Sequence, residues 1–137
     1  MKIKCIGILQ ILLAAVLTSC EPYEVDEILF QKEDVSLIIR GVAVFEYNEN
    51  TCQVAYNAGK NEYRAMEDNM ADYFVLKCSS DLSTEGQEVD ADLTYTTSSN
   101  VRTEKGLTFR VERIAPSTGT FWLWCQSRKI GVVVRKI

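Results

Sequence analysis

From Asp34 onward, apolar residues return at nearly every second position, and no stretch carries a 3.6-residue apolar stripe of helical length. Alternation of this kind gives a strand one dry face and one wet face. The clearest example is Glu88-Val89-Asp90-Ala91-Asp92-Leu93-Thr94-Tyr95, with Val, Ala, Leu and Tyr on one side and acids or Thr on the other. Turn-forming clusters rich in Asn, Asp, Ser and Gly punctuate the pattern at residues 48–50, 57–61, 67–69, 80–87 and 115–119. The chain is therefore expected to be all-β: a small antiparallel β-sandwich of seven or eight strands, or alternatively a small up-and-down β-barrel. Residues 35–47 read as one long strand with a bulge or bend at Gly41. Residues 96–105 read as loop, with a short edge strand around Val101, and the two strands that follow form a hairpin across residues 107–126.

The segment before this pattern is of another kind. Lys2 and Lys4 precede an apolar run over residues 6–17, interrupted only by Gln10, which ends in Leu17-Thr18-Ser19-Cys20. A basic start, a short apolar run and small residues at its end are the parts of a secretory leader. The run falls short of the ~20 residues that span a bilayer. The last four residues resemble the lipobox of bacterial lipoproteins. That resemblance implies cleavage before Cys20, lipidation of Cys20 as the new N-terminus, and anchoring to the envelope of a Gram-negative bacterium, on the outer membrane. The expected division is a signal peptide at 1–19, an acidic tether at 20–33 and one all-β domain at 34–137. Within the tether, Ile28, Leu29 and Phe30 are expected to pack on the domain as a helical turn or a first strand. The acids just behind Cys20 resemble the signal that sends some such lipoproteins to the cell surface, so both periplasmic and surface-facing orientations stay open.

Charge narrows the partners. The chain from Cys20 on carries 13 Lys/Arg against 19 Asp/Glu, a formal net charge of −6, which disfavours nucleic acid. The balance is uneven: residues 21–95 hold five basic side chains and 17 acids, residues 96–137 eight and two. The two portions are expected to lie side by side and neutralise each other across strands, or else to form a basic face for an acidic ligand. With Cys5 in the leader and Cys20 lipidated, Cys52, Cys78 and Cys125 remain, each on the apolar phase of its strand. They read as buried free thiols, or as one disulfide plus one free thiol. No close cysteine pair and no histidine occur, so neither a metal site nor another cofactor is expected.

The most legible candidate site is the 107–126 hairpin. Matching the apolar phases sets Leu107, Phe109 and Val111 against Phe121, Leu123 and Cys125, and leaves Thr108, Arg110 and Glu112 beside Trp122, Trp124 and Gln126 on the other face. Trp122 and Trp124 with Arg110 then make either an aromatic platform for a ligand or partner, or a buried patch under residues 28–30 or a second sheet with Arg110 stacked on the indoles. The acids Glu88, Asp90 and Asp92 read as a solvated strand face rather than a calcium site. No catalytic residues are assigned, since the absence of histidine removes His-assisted nucleophiles. The functional expectation is a lipid-anchored, non-catalytic binding or adaptor module for a glycan or a partner envelope protein. A structural or assembly accessory is the alternative.

Overall fold

The computed structural model describes residues 22–69, 71–98 and 100–136. The leader and Cys20 lie outside the described residues. A short helix, α1 (Glu27–Gln31), precedes nine strands: β1 (Ser36–Ile39), β2 (Val42–Glu46), β3 (Cys52–Asn57), β4 (Glu62–Glu67), β5 (Tyr73–Cys78), β6 (Glu88–Thr97), β7 (Asn100–Ala115), β8 (Thr120–Cys125) and β9 (Ile130–Arg135). All nine belong to one antiparallel sheet in the order β2-β1-β9-β8-β7-β6-β5-β4-β3, curled into a half-barrel. The all-β expectation holds. The sandwich is corrected: one sheet folds round its own core instead of two sheets stacking.

The half-barrel stays open for a reason of parity. Eight antiparallel steps separate β2 from β3, so these two edge strands run in the same direction. Only residues 47–51 connect them, and a parallel pair needs a crossover of about a dozen residues or more. The two edges therefore cannot pair, and side chains span the gap. Phe45 on β2 meets Phe74 on β5 edge-to-face, with ring centroids 5.4 Å apart. Lys136, just after β9, lies 5.9 Å from the centre of the Tyr56 ring on β3, while Arg135 turns to the β1–β2 side, over the Tyr47 ring at 6.0 Å and donating to Asp34 at 2.5 Å.

The ninth strand comes from a misread turn. The expected strand over residues 35–47 is the β1–β2 hairpin, folded at Arg40 (φ 47) and Gly41 (φ 82). Positive φ at both central residues gives the twist a two-residue hairpin needs. Residues 96–105, expected as loop, are instead the far part of the long β6–β7 hairpin, in which Thr96 pairs with Val101 and Thr97 with Asn100.

The alternation builds the interior as expected. Leu37, Phe45, Ala65, Phe74, Leu76, Leu93, Phe109, Leu123 and Val132 all point into one buried cluster. Cys52, Cys78 and Cys125 belong to it and are free thiols. Burial pushes the Cys78 thiol up to about 12. At the end of the barrel near the β5–β6 loop, Lys136 donates to Asp81 at 2.8 Å and to the Leu82 carbonyl at 2.5 Å. That hydrogen bond holds the Asp81 carboxyl below the usual carboxylate range. The Arg135–Asp34 and Lys136–Asp81 pairs join the basic portion to the acidic one, through acids in the segments before β1 and after β5 rather than across strand faces.

Candidate functional site

The sheet has a second apolar surface, on the outside. Leu29, Ile38, Trp122, Trp124 and Val133 form a separate buried cluster, with Tyr23, Val25, Ile28, Ala43 and Ala115 packed against it. Strand register explains its shape. One row across the outer face runs Arg110, Trp124, Gly131, Ile38, Ala43, and the next holds Arg113, Trp122, Val133 and Ser36. In the first row, Gly131 sits between two large side chains and leaves a notch. Leu29 of α1 fills it: a Cβ on residue 131 would lie 3.0 Å from Leu29 Cδ1 and 3.4 Å from Trp124 Cε3. Leu29 is consequently fully buried.

Residues 22–33 thus form a strap across β8, β9 and β1: Ile28 and Leu29 pack on the domain from a helical turn, as expected within the tether, Tyr23 and Val25 pack beside them, and Phe30 stays exposed. Apolar residues at 23, 25, 28 and 29 gain more by covering the indoles than by standing in water. Polar contacts then fix the register. Asp26 caps α1 by accepting from the Ile28 N–H at 3.2 Å. Trp122 Nε1 donates to the Lys32 carbonyl at 2.8 Å. Gln126 fastens the other end: its Oε1 accepts from Trp124 Nε1 at 2.9 Å and from the Glu24 N–H at 3.2 Å, and its Nε2 donates to the Pro22 carbonyl at 3.3 Å. The Tyr23 hydroxyl donates to Glu112, with the Arg110 guanidinium 5.4 Å from the Tyr23 ring centroid. Burial, together with the Glu112 carboxylate, raises the Tyr23 hydroxyl well above the usual tyrosine range.

Of the expected site residues, Trp122 and Trp124 are only 3% and 2% exposed, so the platform reading of the hairpin is corrected to the buried one. Each tryptophan removes about 150–250 Å² from water, and the strap supplies the cover. Arg110 does neighbour Trp124 across the strands, but its charge rests on Tyr23. The register shifts between Val111 and Arg113, and the bulge places Arg113 beside Trp122, its guanidinium 4.3 Å from the indole centroid. Sequence reasoning missed Arg113, Tyr23 and the clamping role of Gln126. The one signal pointing to the notch is a glycine inside the apolar run Ile130-Gly131-Val132-Val133-Val134.

An open groove of about 410 Å³ runs beside the strap, lined by Glu24, Val25, Asp26, Glu27, Arg40, Trp124 and Lys129. Its lips carry opposite charge, acidic on the strap and basic on the β1–β2 and β8–β9 turns. The strand acids take structural partners. Asp90 accepts from Thr108 at 3.0 Å, Asp92 from the Gly106 N–H at 2.9 Å, and Glu88 faces Arg110. Among the described residues no group of three or more His, Cys, Asp or Glu is arranged to hold a metal ion, and no helix is long and apolar enough to cross a membrane. No family model, no curated protein and no solved structure matches this chain.

Proposed function

We propose that the chain is an envelope lipoprotein of a Gram-negative bacterium, held on the outer membrane through lipidated Cys20. There it acts as a non-catalytic binding or adaptor module for a partner envelope protein or a glycan. The observation that carries the anchor is the basic, apolar and small-residue order ending in Leu17-Thr18-Ser19-Cys20. Acyl chains contribute about 0.8 kcal/mol per buried methylene, and two or more make release from the membrane negligible. With the tryptophan face committed to the strap, the surface left for recognition is the outer side of β3, β4, β5, β6 and the first part of β7. One row there reads Ala55, Arg64, Val75, Thr94, Thr103. Its mixture of small, hydroxyl and cationic groups suits a flat polar partner.

Incorporation of a clickable fatty acid into the intact protein, and its loss on Cys20→Ser, tests the anchor; labelling that persists in the variant overturns it. A second reading, an assembly accessory that accepts a strand from a partner, is favoured by the unpaired edge of β3, since the parity of the sheet leaves its backbone groups open. Cross-linking the membrane-bound protein separates the two. Adducts through residues of the β3 edge support strand addition, and adducts through Arg64 or Thr103 support the flat face.

A further inference from the structure

We infer that the β8–β9 turn lies at a phospholipid surface, beside the β6–β7 hairpin that runs past it at the same end, while the β7–β8 turn points away; this rests on the proposed lipidation of Cys20. The strap is fastened from Pro22 onward, since Gln126 of the β8–β9 turn bonds both Pro22 and Glu24, and Tyr23 is held between Arg110 and Glu112. Cys20 stands two residues before Pro22. Two chain steps reach roughly 7 Å at most. A lipidated cysteine keeps its backbone at headgroup level. Gln126 and its turn are thereby brought to the headgroups. A free tether over 20–33 would have had an r.m.s. reach of roughly 20 Å and left the orientation open.

The exposed cations Arg40 and Arg128 sit at this same end, where headgroup phosphates can accept their hydrogen bonds. Arg128 also pairs with Glu104, and Glu24 and Glu27 stand nearby, so the anchor geometry carries the assignment and net charge does not. β8 spans six residues between the two turns, a length of about 20 Å along the strand, which sets Ser117 farther from the membrane than Ser127 by up to that distance.

The test uses the full lipidated chain in vesicles of phosphatidylethanolamine and phosphatidylglycerol, with Ser127→Cys or Ser117→Cys carrying a fluorophore. Cys52, Cys78 and Cys125 are buried and stay unlabelled. Flotation with the vesicles is scored first, and a chain that does not float overturns the lipidation on which the orientation depends. With floating protein, a headgroup-borne spin-label quencher is expected to dim the Ser127→Cys label several-fold more than the Ser117→Cys label. Inserting about ten Gly/Ser residues between Glu21 and Pro22, an added reach of roughly 17 Å, is expected to erase that contrast. Equal quenching at the two positions, or a contrast that survives the insertion, overturns the orientation while leaving the anchor standing.

Discussion

The sheet has two outer faces built by the same alternation, and they end in opposite states. From β7 across β8, β9 and β1 to β2, the outward row Arg110, Trp124, Gly131, Ile38, Ala43 is sealed by the strap. On β3 to β7 the outward row Ala55, Arg64, Val75, Thr94, Thr103 is left in water. The difference lies in side-chain size and relief. The first row sets two large apolar groups on either side of a glycine, giving a hole that a leucine can enter, and in the next row the Trp122 N–H finds the Lys32 carbonyl of the strap. The second offers neither a hole nor a large apolar area, and its Thr94 and Thr103 hydroxyls bond each other at 3.2 Å. A segment of chain is retained where its knob has a matching notch, and alternation alone does not secure it.

The strongest way to break this contrast is to remove the knob. Leu29→Ala is expected to cost about 3 kcal/mol in urea denaturation, within the 2–5 kcal/mol typical of a fully buried leucine, and to shift tryptophan emission to the red as the indoles meet water. Val75→Ala on the open row is half-buried, touches no strap and is expected to cost well under about 1 kcal/mol. Equal costs at the two positions would mean that the strap contributes nothing to the fold.

The fold class, the dry phase of most strands and the burial of the three cysteines were legible because period-two patterning is a local signal. Three features were not. The β1–β2 turn carries Arg40 where Asn or Asp would have announced a two-residue hairpin. The β7 bulge beside Glu112 has no glycine to mark it, yet it decides that Arg113 and not Arg110 rests on an indole. The strap depends on Gly131, about a hundred residues after Leu29, and sequence spacing cannot show which glycine faces which leucine. At the candidate site, therefore, Trp122, Trp124 and their cover by residues 28 and 29 were readable, and the place of Arg110 was not.

A smaller effect is expected at the clamp. Gln126→Ala removes the acceptor of Trp124 Nε1 and of the Glu24 N–H together with the donor to Pro22. Trp124 is almost fully buried, so its N–H is left without a partner, and a loss of about 1–2 kcal/mol follows. Gln126→Glu keeps the acceptor for both N–H groups and is expected to lose less. Arg64→Ala on the open row provides the reference, within about 0.5 kcal/mol of the parent. A Gln126→Ala protein as stable as the Arg64→Ala protein would show that water replaces the clamp without cost.

The smallest effect is a pH dependence confined to the strapped face. The Tyr23 hydroxyl is raised above its ordinary value of 10.0, first by burial and then by the Glu112 carboxylate, with Arg110 opposing. A group whose folded pKa is raised holds its proton more tightly in the folded state, so its contribution is complete below the unfolded pKa. That contribution declines as pH rises past 10.0 toward the folded value. Solvent around the strap screens the interaction, which limits the loss to no more than about 1 kcal/mol per pH unit. Cys78, Tyr63 and Tyr95 are also raised by burial and titrate in any variant, so the difference between the parent and Tyr23→Phe isolates the strap. At neutral pH the parent is expected to be the more stable of the two. Above pH 10.0 the gap should narrow as the Tyr23 anion is repelled by Glu112, and the parent's tryptophan emission should move to the red first. A gap that stays constant through that range would mean that Tyr23 ionises without leaving its place beside Glu112, and that the strap is held by Leu29 and Gln126 alone.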